Sequence, residues 1–349
     1  MHQRPRGNEP ARWRTLGAEE PRRGGRQVAH DWPLVSVGIV TWNSESHIAT
    51  CLGRLEEQRY PNLEVIVVDN GSVDRSIELV RQCWPAARVI ENGGNEGFCR
   101  AHNAAIRASR GEYYLALNPD VQLLPGFLER LVLAMEDSPA RGAAMGKLLG
   151  PSSDDPPIID AAGLMIDRRR HQYLRGRGEP DRGQYDTAEE IFGADGAAAL
   201  YRRAMLEEVK IEGQYFDEQF FAYMEDVDLA WRARLLGWRC WYDPSAVATH
   251  VRTFQPGRRR ARSRPMRRMA VKNRYLMLLK NEGREEWRRD WWRILGYDVG
   301  IWGYILLLEQ SSVGALGLLG RQWHTGRAWR REIWRRVRAL PEERRGWFH

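Results

Sequence analysis

The stretch EYYLALNPDVQLLPGFLERL, residues 112–131, places an apolar run before a polar turn, Asn118-Pro119-Asp120, and then continues with helical spacing. The run EYYLAL has the near-continuous hydrophobicity of a strand that is buried on both faces of a sheet. A carboxylate at the end of such a strand needs a cation to offset its charge, or it serves as a turn and helix-capping residue. Asp120 therefore predicts either a metal ligand at the rim of a sheet or an N-cap, and the stretch alone leaves both interpretations open.

Strand and helix patterns alternate on the amino-terminal side of this stretch. The strand-like runs are LVSVGIVTW at 34–42, LEVIVVDNGS at 63–72 and ARVIEN at 87–92. The helical apolar spacings that follow them are NSESHIATCLGRLEEQ at 43–58, VDRSIELVRQC at 73–83 and GFCRAHNAAIRAS at 97–109. This alternation predicts an α/β fold with a doubly wound, mostly parallel sheet and helices on both faces.

Polar residues occur where the predicted strands end. They are Thr41, Asn43 and Glu45 after the first strand, Asp69 and Asn70 after the second, Asn95 and Glu96 after the third, and Asp120 after the fourth. Ligands bind to doubly wound sheets in the crevice beyond the carboxyl ends of the strands. We therefore expect the ligand site at this edge of the sheet.

The composition limits the class of protein. The chain has 349 residues, 43% of them hydrophobic, which is enough for one large core with an appendage or for two domains. A formal net charge of +8 implies an anionic partner, such as nucleic acid, a phosphate-bearing substrate or an acidic membrane surface. The four cysteines form no C-x-x-C pair, which argues against a disulfide scaffold or a structural zinc site and favours a reducing cytoplasm.

Changes in composition predict three segments. Residues 1–32 are rich in Arg, Gly and Pro, lack the apolar run of a signal peptide, and are expected to form a disordered basic arm that directs no export. Residues 33–255 contain the strand and helix alternation. Residues 256–349 are rich in Arg and Trp and are expected to form a helical extension.

Five sequence blocks resemble the family 2 glycosyltransferases and, among them, the bacterial rhamnosyltransferase-like group. The blocks are VSVGIVTWNSESHIATCLGRLEEQRYPNLEVIVVDNGSVDRS, NEGFCRAHNAAI, LALNPDV, GAAALYRR and FDEQFFAYMEDVDLAWRARLLGW, in this order within residues 34–255. The resemblance implies a GT-A fold, a nucleotide-sugar donor, a divalent metal ion and inversion at the anomeric carbon. The sheet pattern by itself supports only the α/β core.

The resemblance also implies which residues bind the nucleotide sugar. They are Thr41, Asn43, Glu45, Asp69, Gly97, Arg100, Asn103 and Asn118. Asp69 is the implied acceptor of hydrogen bonds from the nucleobase, and Gly97 would bring a helix amino terminus close to the ligand. The residues themselves leave open a turn-acceptor role for Asp69 and an ordinary loop and amphipathic helix at Gly97.

The NPD turn stands where the family has its D-x-D motif, with Asn118 in the first position. The resemblance implies that Asp120 coordinates Mg²⁺ or Mn²⁺, although the loss of one anionic ligand weakens the expected binding. His250 matches a family histidine that joins the metal shell, and a partly buried structural histidine is the alternative. The ion would neutralise charge on the leaving nucleoside diphosphate.

The segment AYMEDVDLAWRARLLGW, residues 222–238, predicts a helix that begins at Glu225 and Asp226. The resemblance implies that Asp226 is the catalytic base, which takes the proton of the acceptor hydroxyl, with Glu225 and Tyr223 on the acceptor side. Acidic residues in a first turn also complement the helix dipole, so a structural role stays open. Asp195 precedes the small-residue strand GAAALYRR and has no assigned role.

The extension contains the apolar stretch VGIWGYILLLEQSSVGALGLL, residues 299–319. Its polar centre leaves neither half with the roughly 18 to 20 apolar residues that a spanning helix needs. The flanking Arg and Trp residues favour a shallow hairpin at an anionic membrane surface, so the protein is expected to be cytoplasmic and peripheral on the inner face of the cell membrane. A buried helical pair or a homodimer face is the alternative.

These observations predict an inverting, metal-dependent glycosyltransferase. The resemblance implies L-rhamnose as the sugar, dTDP-L-rhamnose as the donor, and a cell-envelope glycan or polyprenyl-linked acceptor. A catalytically silent nucleotide-sugar binding module of a membrane assembly is an alternative, motivated by the altered D-x-D motif. The Arg/Trp-rich segments could also bind RNA or single-stranded DNA, but no RRM, KH or zinc-finger signature accompanies them, so nucleic acid is not the expected partner.

Overall fold

The computed structural model describes residues 31–151, 156–252 and 263–349. The chain divides between Trp32 and Pro33, and all the described secondary structure belongs to the unit Pro33–His349. The predicted arm lies outside the described residues except for its last two positions. The predicted boundary at residue 255 falls in the gap after residue 252, and the division at that point stays a prediction.

Strands and helices alternate through the first half of this unit. The strands are β1 (Val35–Thr41), β2 (Leu63–Asp69), β3 (Arg88–Glu91), β4 (Tyr113–Leu117), β5 (Val121–Leu123), β6 (Arg141–Leu149), β7 (Ile159–Ala161), β8 (Leu164–Ile166), β9 (Gln172–Leu174), β10 (Glu189–Ile191), β11 (Ala198–Arg202) and β12 (Arg239–His250). The helices are α1 (Ile48–Glu56), α2 (Ser76–Cys83), α3 (Gly97–Ala108), α4 (Phe127–Glu136), α5 (Arg203–Val209), α6 (Glu225–Leu235), α7 (Arg264–Asn281), α8 (Arg284–Leu308), α9 (Ala315–Arg335) and α10 (Pro341–Arg345).

The main sheet has a parallel half and a mixed half. Its order in the described residues is β10-β12-β6-β11-β4-β1-β2-β3, with β5 paired to β12 and β7 paired to β6. β1 to β4 run parallel, and β1, β2 and β4 are largely buried, as their continuous apolar sequences predict. β11 is antiparallel to both of its neighbours, β4 and β6. The predicted α/β, mostly parallel fold is therefore confirmed, with β11 reversed at the centre of the sheet and β5, β7 and β10 also antiparallel to their partners.

A bend in β12 brings the two halves of the sheet to a common edge. Its pairing with β6 shifts register between Asp243 and Val247, around Pro244, which cannot donate a ladder hydrogen bond. Beyond the bend the strand pairs with β5, so that His250 lies opposite Val121. This pairing places the end of β12 beside the NPD turn that precedes β5.

The helices after residue 263 pack into the same unit. α7 contacts both α6 and α9, and the start of α8 is held by the fully buried Arg170, which binds Glu282 at 2.7 Å and Asp290 at 3.0 Å. In the described part of the chain, no helix alone has the length and apolar character needed to cross a bilayer. α8 and the helical stretch Gln310–Arg335 meet those criteria only as a pair, and the pair is bent by 118°.

Candidate active site

The predicted nucleotide-sugar residues lie along the carboxyl edge of the parallel strands. Thr41 and Asp69 end β1 and β2 in matching register, and Asn118 directly follows β4 on the other side of β1. Neighbouring strands are spaced by about 4.8 Å, which puts Asp69 about 10 Å from the NPD turn. Asp69 and the NPD turn therefore lie at the same edge of the sheet, with β1 between their strands.

Asp69 organises the turn that follows β2. Its buried carboxylate accepts hydrogen bonds from the Ser72 hydroxyl at 2.5 Å, the Ser72 backbone N–H at 3.0 Å and the Gly71 N–H at 3.2 Å. The turn-acceptor role that the sequence left open is thus present in the structure. The hydrogen bond from Asp69 to a nucleobase stays a prediction.

Asn43 and Glu45 tie the loop after β1 to the loop after β2. The Asn43 N–H donates to the Ser72 hydroxyl at 2.9 Å, and the Asn43 side-chain oxygen accepts from the Val73 N–H at 2.9 Å. The Glu45 carboxylate accepts from the Arg75 N–H at 2.9 Å. These bonds join the two loops, and the roles of Asn43 and Glu45 toward a nucleotide stay predictions.

The three predicted residues of α3 differ in what they contact. Gly97 has a positive φ of 85°, and a Cβ there would lie 2.5 Å from the ring of Phe221, so only glycine fits. Arg100 forms an ion pair with Glu218 at 3.0 Å. The buried Asn103 amide donates to the Phe216 carbonyl at 2.8 Å. Arg100 and Asn103 thus bind the segment that leads to α6, and their roles toward the nucleotide stay predictions.

A chain of alternating charges begins at the NPD turn. His250 Nε2 lies 3.4 Å from the Asp120 carboxylate, and its Nδ1 lies 2.9 Å from Asp160. Arg252 then binds Asp160 at 2.5 Å and Asp195 at 3.0 Å. These five side chains therefore form one connected cluster at the strand ends, and Arg177 lies at its margin, 3.7 Å from Asp160.

The donor atoms of this cluster fit a hard divalent cation. One ligand atom from each of Asp160, Asp195 and His250 lies within 4.8 Å of the others, and Asp120 borders the same imidazole. Carboxylate oxygens with one imidazole suit Mg²⁺ or Mn²⁺. Arg252 already neutralises part of the charge on Asp160 and Asp195, whereas Asp120 contacts the far side of the His250 ring, 3.4 Å from Nε2.

His250 exchanges a proton for any metal ion that it binds. Burial favours the neutral ring, but the hydrogen bonds to Asp120 and Asp160 outweigh burial and raise the pKa of His250 to about 9. At neutral pH the imidazole is therefore protonated when no cation is near. Because a metal ligand must be deprotonated, metal binding through His250 tightens as the pH rises.

Asp226 lies in the first turn of α6, as predicted. Its carboxylate accepts from the Val227 N–H at 2.8 Å and from the Gly196 N–H at 3.4 Å. Burial, and then the negative charge of Asp195, raise its pKa to about 6. The group is ionised at neutral pH and retains more basicity than an ordinary aspartate, which suits a general base.

Glu225 and Tyr223 lie immediately before the proposed base. Glu225 is buried, one of its carboxyl oxygens has no hydrogen-bond partner in the described structure, and burial with the charge of Asp226 raises its pKa well above the usual range. Tyr223 has a positive φ of 69°. Their acceptor-side roles stay predictions; Glu225 directly precedes Asp226, and Tyr223 lies in the loop just before α6.

Sequence reasoning missed two members of the charged cluster. Asp160 lies in the short apolar strand β7, and its sequence, IIDAAG, contains no motif. Arg252 is one of many arginines in its region, and nothing in the sequence distinguishes it from the others. Asp195, which had no assigned role, lies between Arg252 and Asp226. The one available signal was a lone carboxylate in a short apolar run.

Solved structures share this architecture. The chain aligns with Staphylococcus aureus TarS in complex with UDP-GlcNAc at a TM-score of 0.57 and 19% identity, over 86% of this chain and 89% of that one. It aligns with the Pyrobaculum calidifontis mannosyltransferase PcManGT, in complex with GDP-Man and Mn²⁺, at a TM-score of 0.52 and 20% identity, over 84% and 75%. These likenesses establish the fold, which is that of the GT-A glycosyltransferases.

The sequence identifies the family within this class. Residues 36–210 match the family description "Glycosyl transferase family 2", and the chain belongs to this family and is a glycosyltransferase.

Two relatives illustrate the range of the family. An N-acetylglucosaminyl-diphospho-decaprenol L-rhamnosyltransferase of Mycobacterium tuberculosis is 29% identical over 253 residues, which cover 64% of this chain and 78% of that protein. An N-acetylglucosaminyltransferase of Mesorhizobium japonicum is 31% identical over 245 residues, which cover 66% of this chain and 54% of that protein. The chain thus spans little more than half of the second relative.

Proposed function

We propose that this glycosyltransferase moves L-rhamnose from dTDP-L-rhamnose to a hydroxyl group of a lipid-linked or cell-envelope glycan, with inversion at the anomeric carbon. The rhamnosyltransferase of M. tuberculosis supports the choice of sugar and of acceptor class. The single observation that carries the mechanism is Asp226, a helix-terminal carboxylate held by two backbone N–H groups beside the charged cluster.

Asp226 acts on the acceptor. As the acceptor oxygen forms its bond to the anomeric carbon, the Asp226 carboxylate takes the hydroxyl proton, and the bond from that carbon to the donor diphosphate breaks on the opposite face of the sugar. Configuration therefore inverts in a single displacement. The pKa of about 6 keeps Asp226 ionised before the reaction and able to hold the proton after it.

The crevice acts on the donor. Asp120 and His250 would hold Mg²⁺ or Mn²⁺, which supplies positive charge to the leaving diphosphate. The turn organised by Asp69 forms the nucleoside end of the crevice. A protein that only binds nucleotide sugars would share this crevice but would not need a base with a raised pKa.

The test uses defined substrates. Purified protein is incubated with dTDP-L-rhamnose, an N-acetylglucosaminyl-diphospho-prenol and Mg²⁺ or Mn²⁺, and the lipid product is analysed by mass spectrometry. We expect a product larger by one deoxyhexose, together with release of dTDP. Thermal stabilisation by dTDP, UDP and GDP is measured in parallel, because a ligand that binds only the folded state raises the melting temperature.

The outcomes separate the sugar from the chemistry. Transfer from another nucleotide sugar would overturn the rhamnose assignment and leave the mechanism standing. Stabilisation by a nucleotide without transfer to any glycan acceptor would favour the silent binding module. Nucleotide binding that is indifferent to a chelator and to Asp120→Ala would remove the metal from the proposal.

We further propose that the protein is peripheral on the inner face of the cell membrane. Large apolar side chains are exposed where α8 ends and the following helices begin, including Leu307 at 79%, Leu308 at 60% and Leu316 at 53%. On α8 itself, Trp287, Trp291 and Trp292 are between 41% and 55% exposed. Exposed tryptophan and leucine flanked by arginine suit the boundary between anionic headgroups and acyl chains.

A further inference from the structure

We infer that α7, a helix of the predicted extension, holds the residues before Asp226 in their working conformation, with Asn273 as the positioning residue. We call residues 217–224, which join Phe216 to α6, the entry loop. The inference rests on the proposed function, because it concerns how Asp226 and Tyr223 are presented to the acceptor.

The entry loop has a backbone that needs outside support. Phe221, Tyr223 and Met224 have positive φ angles of 64°, 69° and 69°. Bulky side chains rarely adopt this conformation, and it persists only where the surroundings impose it. Met224 is also the residue directly before α6, so its conformation sets the direction in which the helix and Asp226 leave the loop.

Asn273 supplies that support from α7. Its side-chain nitrogen donates to the carbonyl oxygens of Phe220 at 3.1 Å, Ala222 at 2.9 Å and Tyr223 at 2.7 Å. The residue is fully buried, so water cannot replace these bonds. The acceptors come from both sides of Phe221 and include one of the strained residues, so a single amide fixes the curvature of the loop.

Two lysines of α7 bind the entry loop and the first turn of α6. Lys272 donates to the carbonyl of Gln219. Lys280 is fully buried and binds Asp217 at 2.7 Å, where the loop begins, and Asp228 at 2.8 Å, in the first turn of α6. Because a buried charge needs its partner, the spacing between α7 and α6 is set by these pairs.

The opposite side of the entry loop faces the predicted donor site. The Cys99 N–H donates to the Phe221 carbonyl at 3.2 Å, and the Phe221 ring occupies the space that a side chain at position 97 would fill. The loop therefore lies between α7 and the start of α3. A shift of α7 would move the acceptor side of the site relative to the donor side.

The experiment replaces the donor amide with an acceptor of the same shape. Asn273→Asp places an oxygen against the three carbonyls, and Val271→Ala is the matched control, since Val271 lies on the same helix but packs on Ile305 and Ala315. Both full-length variants are compared with the wild type for kcat and KM in rhamnose transfer, for thermal stabilisation by dTDP, and for hydrogen exchange of the amides of residues 219–224. Asn273→Ser, which keeps one donor, serves if Asn273→Asp does not fold.

We expect Asn273→Asp to lower kcat by about 10- to 100-fold, because small misplacements of reacting groups have effects of this size. The KM for the donor and the stabilisation by dTDP should stay near wild type, and exchange in the entry loop should become faster. Val271→Ala should lower the melting temperature without these changes.

Equal losses of kcat in the two variants, or unchanged exchange in the entry loop, would overturn the inference. If the wild type transfers no rhamnose, the proposed function fails, and the hydrogen-exchange comparison still decides whether Asn273 holds the loop.

Discussion

Asp226 shows how one carboxyl group can be both fixed and basic. Two backbone N–H groups stabilise its ionised form and set its direction, while burial and the nearby Asp195 oppose ionisation. These opposing effects leave Asp226 ionised at neutral pH and more basic than an ordinary aspartate. A helix-capping carboxylate without the burial and the second charge would have a lower pKa and accept a proton less well.

Asp226→Asn should bind the donor nucleotide nearly normally and lose most of its sugar transfer. The amide keeps the shape of the side chain but cannot take the acceptor's proton, and loss of a general base typically costs about 10²- to 10⁴-fold in rate. Product formation and thermal stabilisation by dTDP are measured on the same preparation. Loss of a mere helix-end charge would instead cost about 0.3 to 1 kcal/mol of stability and leave turnover intact. Near-normal turnover would move the search for the base to Glu225.

The rate of transfer should rise with pH through a pKa of about 6 and then level off, because Asp226 is active only when ionised. Asp195→Asn removes a negative charge that raises this pKa, so the acid limb of the kcat/KM profile should move to lower pH. Profiles of both proteins are recorded at saturating Mg²⁺. An acid limb that stays in place in Asp195→Asn would show that the titrating group is another residue.

At this scale, motif residues were predictable and network residues were not. Asp120 follows a predicted strand, and Asp226 and His250 stand where the resemblance to the family implies functional residues; their roles stay predictions. Asp160 and Arg252 join them only through the pairing of β7 with β6 and the bend of β12, which no local pattern reveals. Long-range contacts of this kind carry no periodicity in the sequence.

Among the elements, β1, β4 and α3 meet at one close contact. A Cβ on Gly38 would lie 1.8 Å from the Tyr114 hydroxyl, which bonds His102 on α3 at 2.7 Å. Tyr114 and His102 are fully buried. The missing side chain in β1 therefore makes room for a polar contact that joins the sheet to the helix above it.

Gly38→Ala should lower the free energy of unfolding by about 1 to 3 kcal/mol, the usual range for overpacking. The loss should be smaller in a Tyr114→Phe background, where the hydroxyl is gone. Gly53→Ala is the control, because a Cβ at that exposed site in α1 meets nothing within 4 Å and should stabilise the helix by up to about 1 kcal/mol. Urea unfolding of the wild type, Gly38→Ala, Tyr114→Phe and the double variant gives the coupling energy, and a coupling energy of zero would contradict the packing argument.

The parallel strands and their helices were predictable because apolar residues are nearly continuous in the strands and recur at helical spacing in the helices. The two patterns also alternate regularly along the chain. The direction of β11 was not, since GAAALYRR fits a buried strand in either orientation. The bend of β12 had a local signal, Pro244, but its effect depends on β5 and β6, to which the strand pairs. Local sequence thus predicts that a strand forms more readily than it predicts which strands pair with it.

The exposed apolar end of α8 is the feature that bears on the whole molecule. Leu307→Glu with Leu308→Glu should strongly weaken binding to phosphatidylglycerol vesicles, because burial of one leucine contributes about 1.5 to 3 kcal/mol. Leu133→Glu, at a site on α4 that is 43% exposed, is the control. Co-sedimentation is measured at low and high salt, and salt should weaken the contribution of the arginines. Unchanged binding, or a change from dimer to monomer instead, would favour a dimer face.

The buried pairs between Lys280 and the carboxylates of Asp217 and Asp228 also have a consequence for biosynthesis. All residues at the carboxyl edge of the strands are synthesised before Lys280. At that stage the nascent chain still lacks the ammonium group that pairs with Asp217 and Asp228. Synthesis must therefore pass α7 before Asp226, the proposed base, can adopt its final position. A ribosome that stalls earlier would release a product in which the buried Asp217 has lost its cation and Asp228 keeps only Arg232, and quality-control proteases should remove such a product.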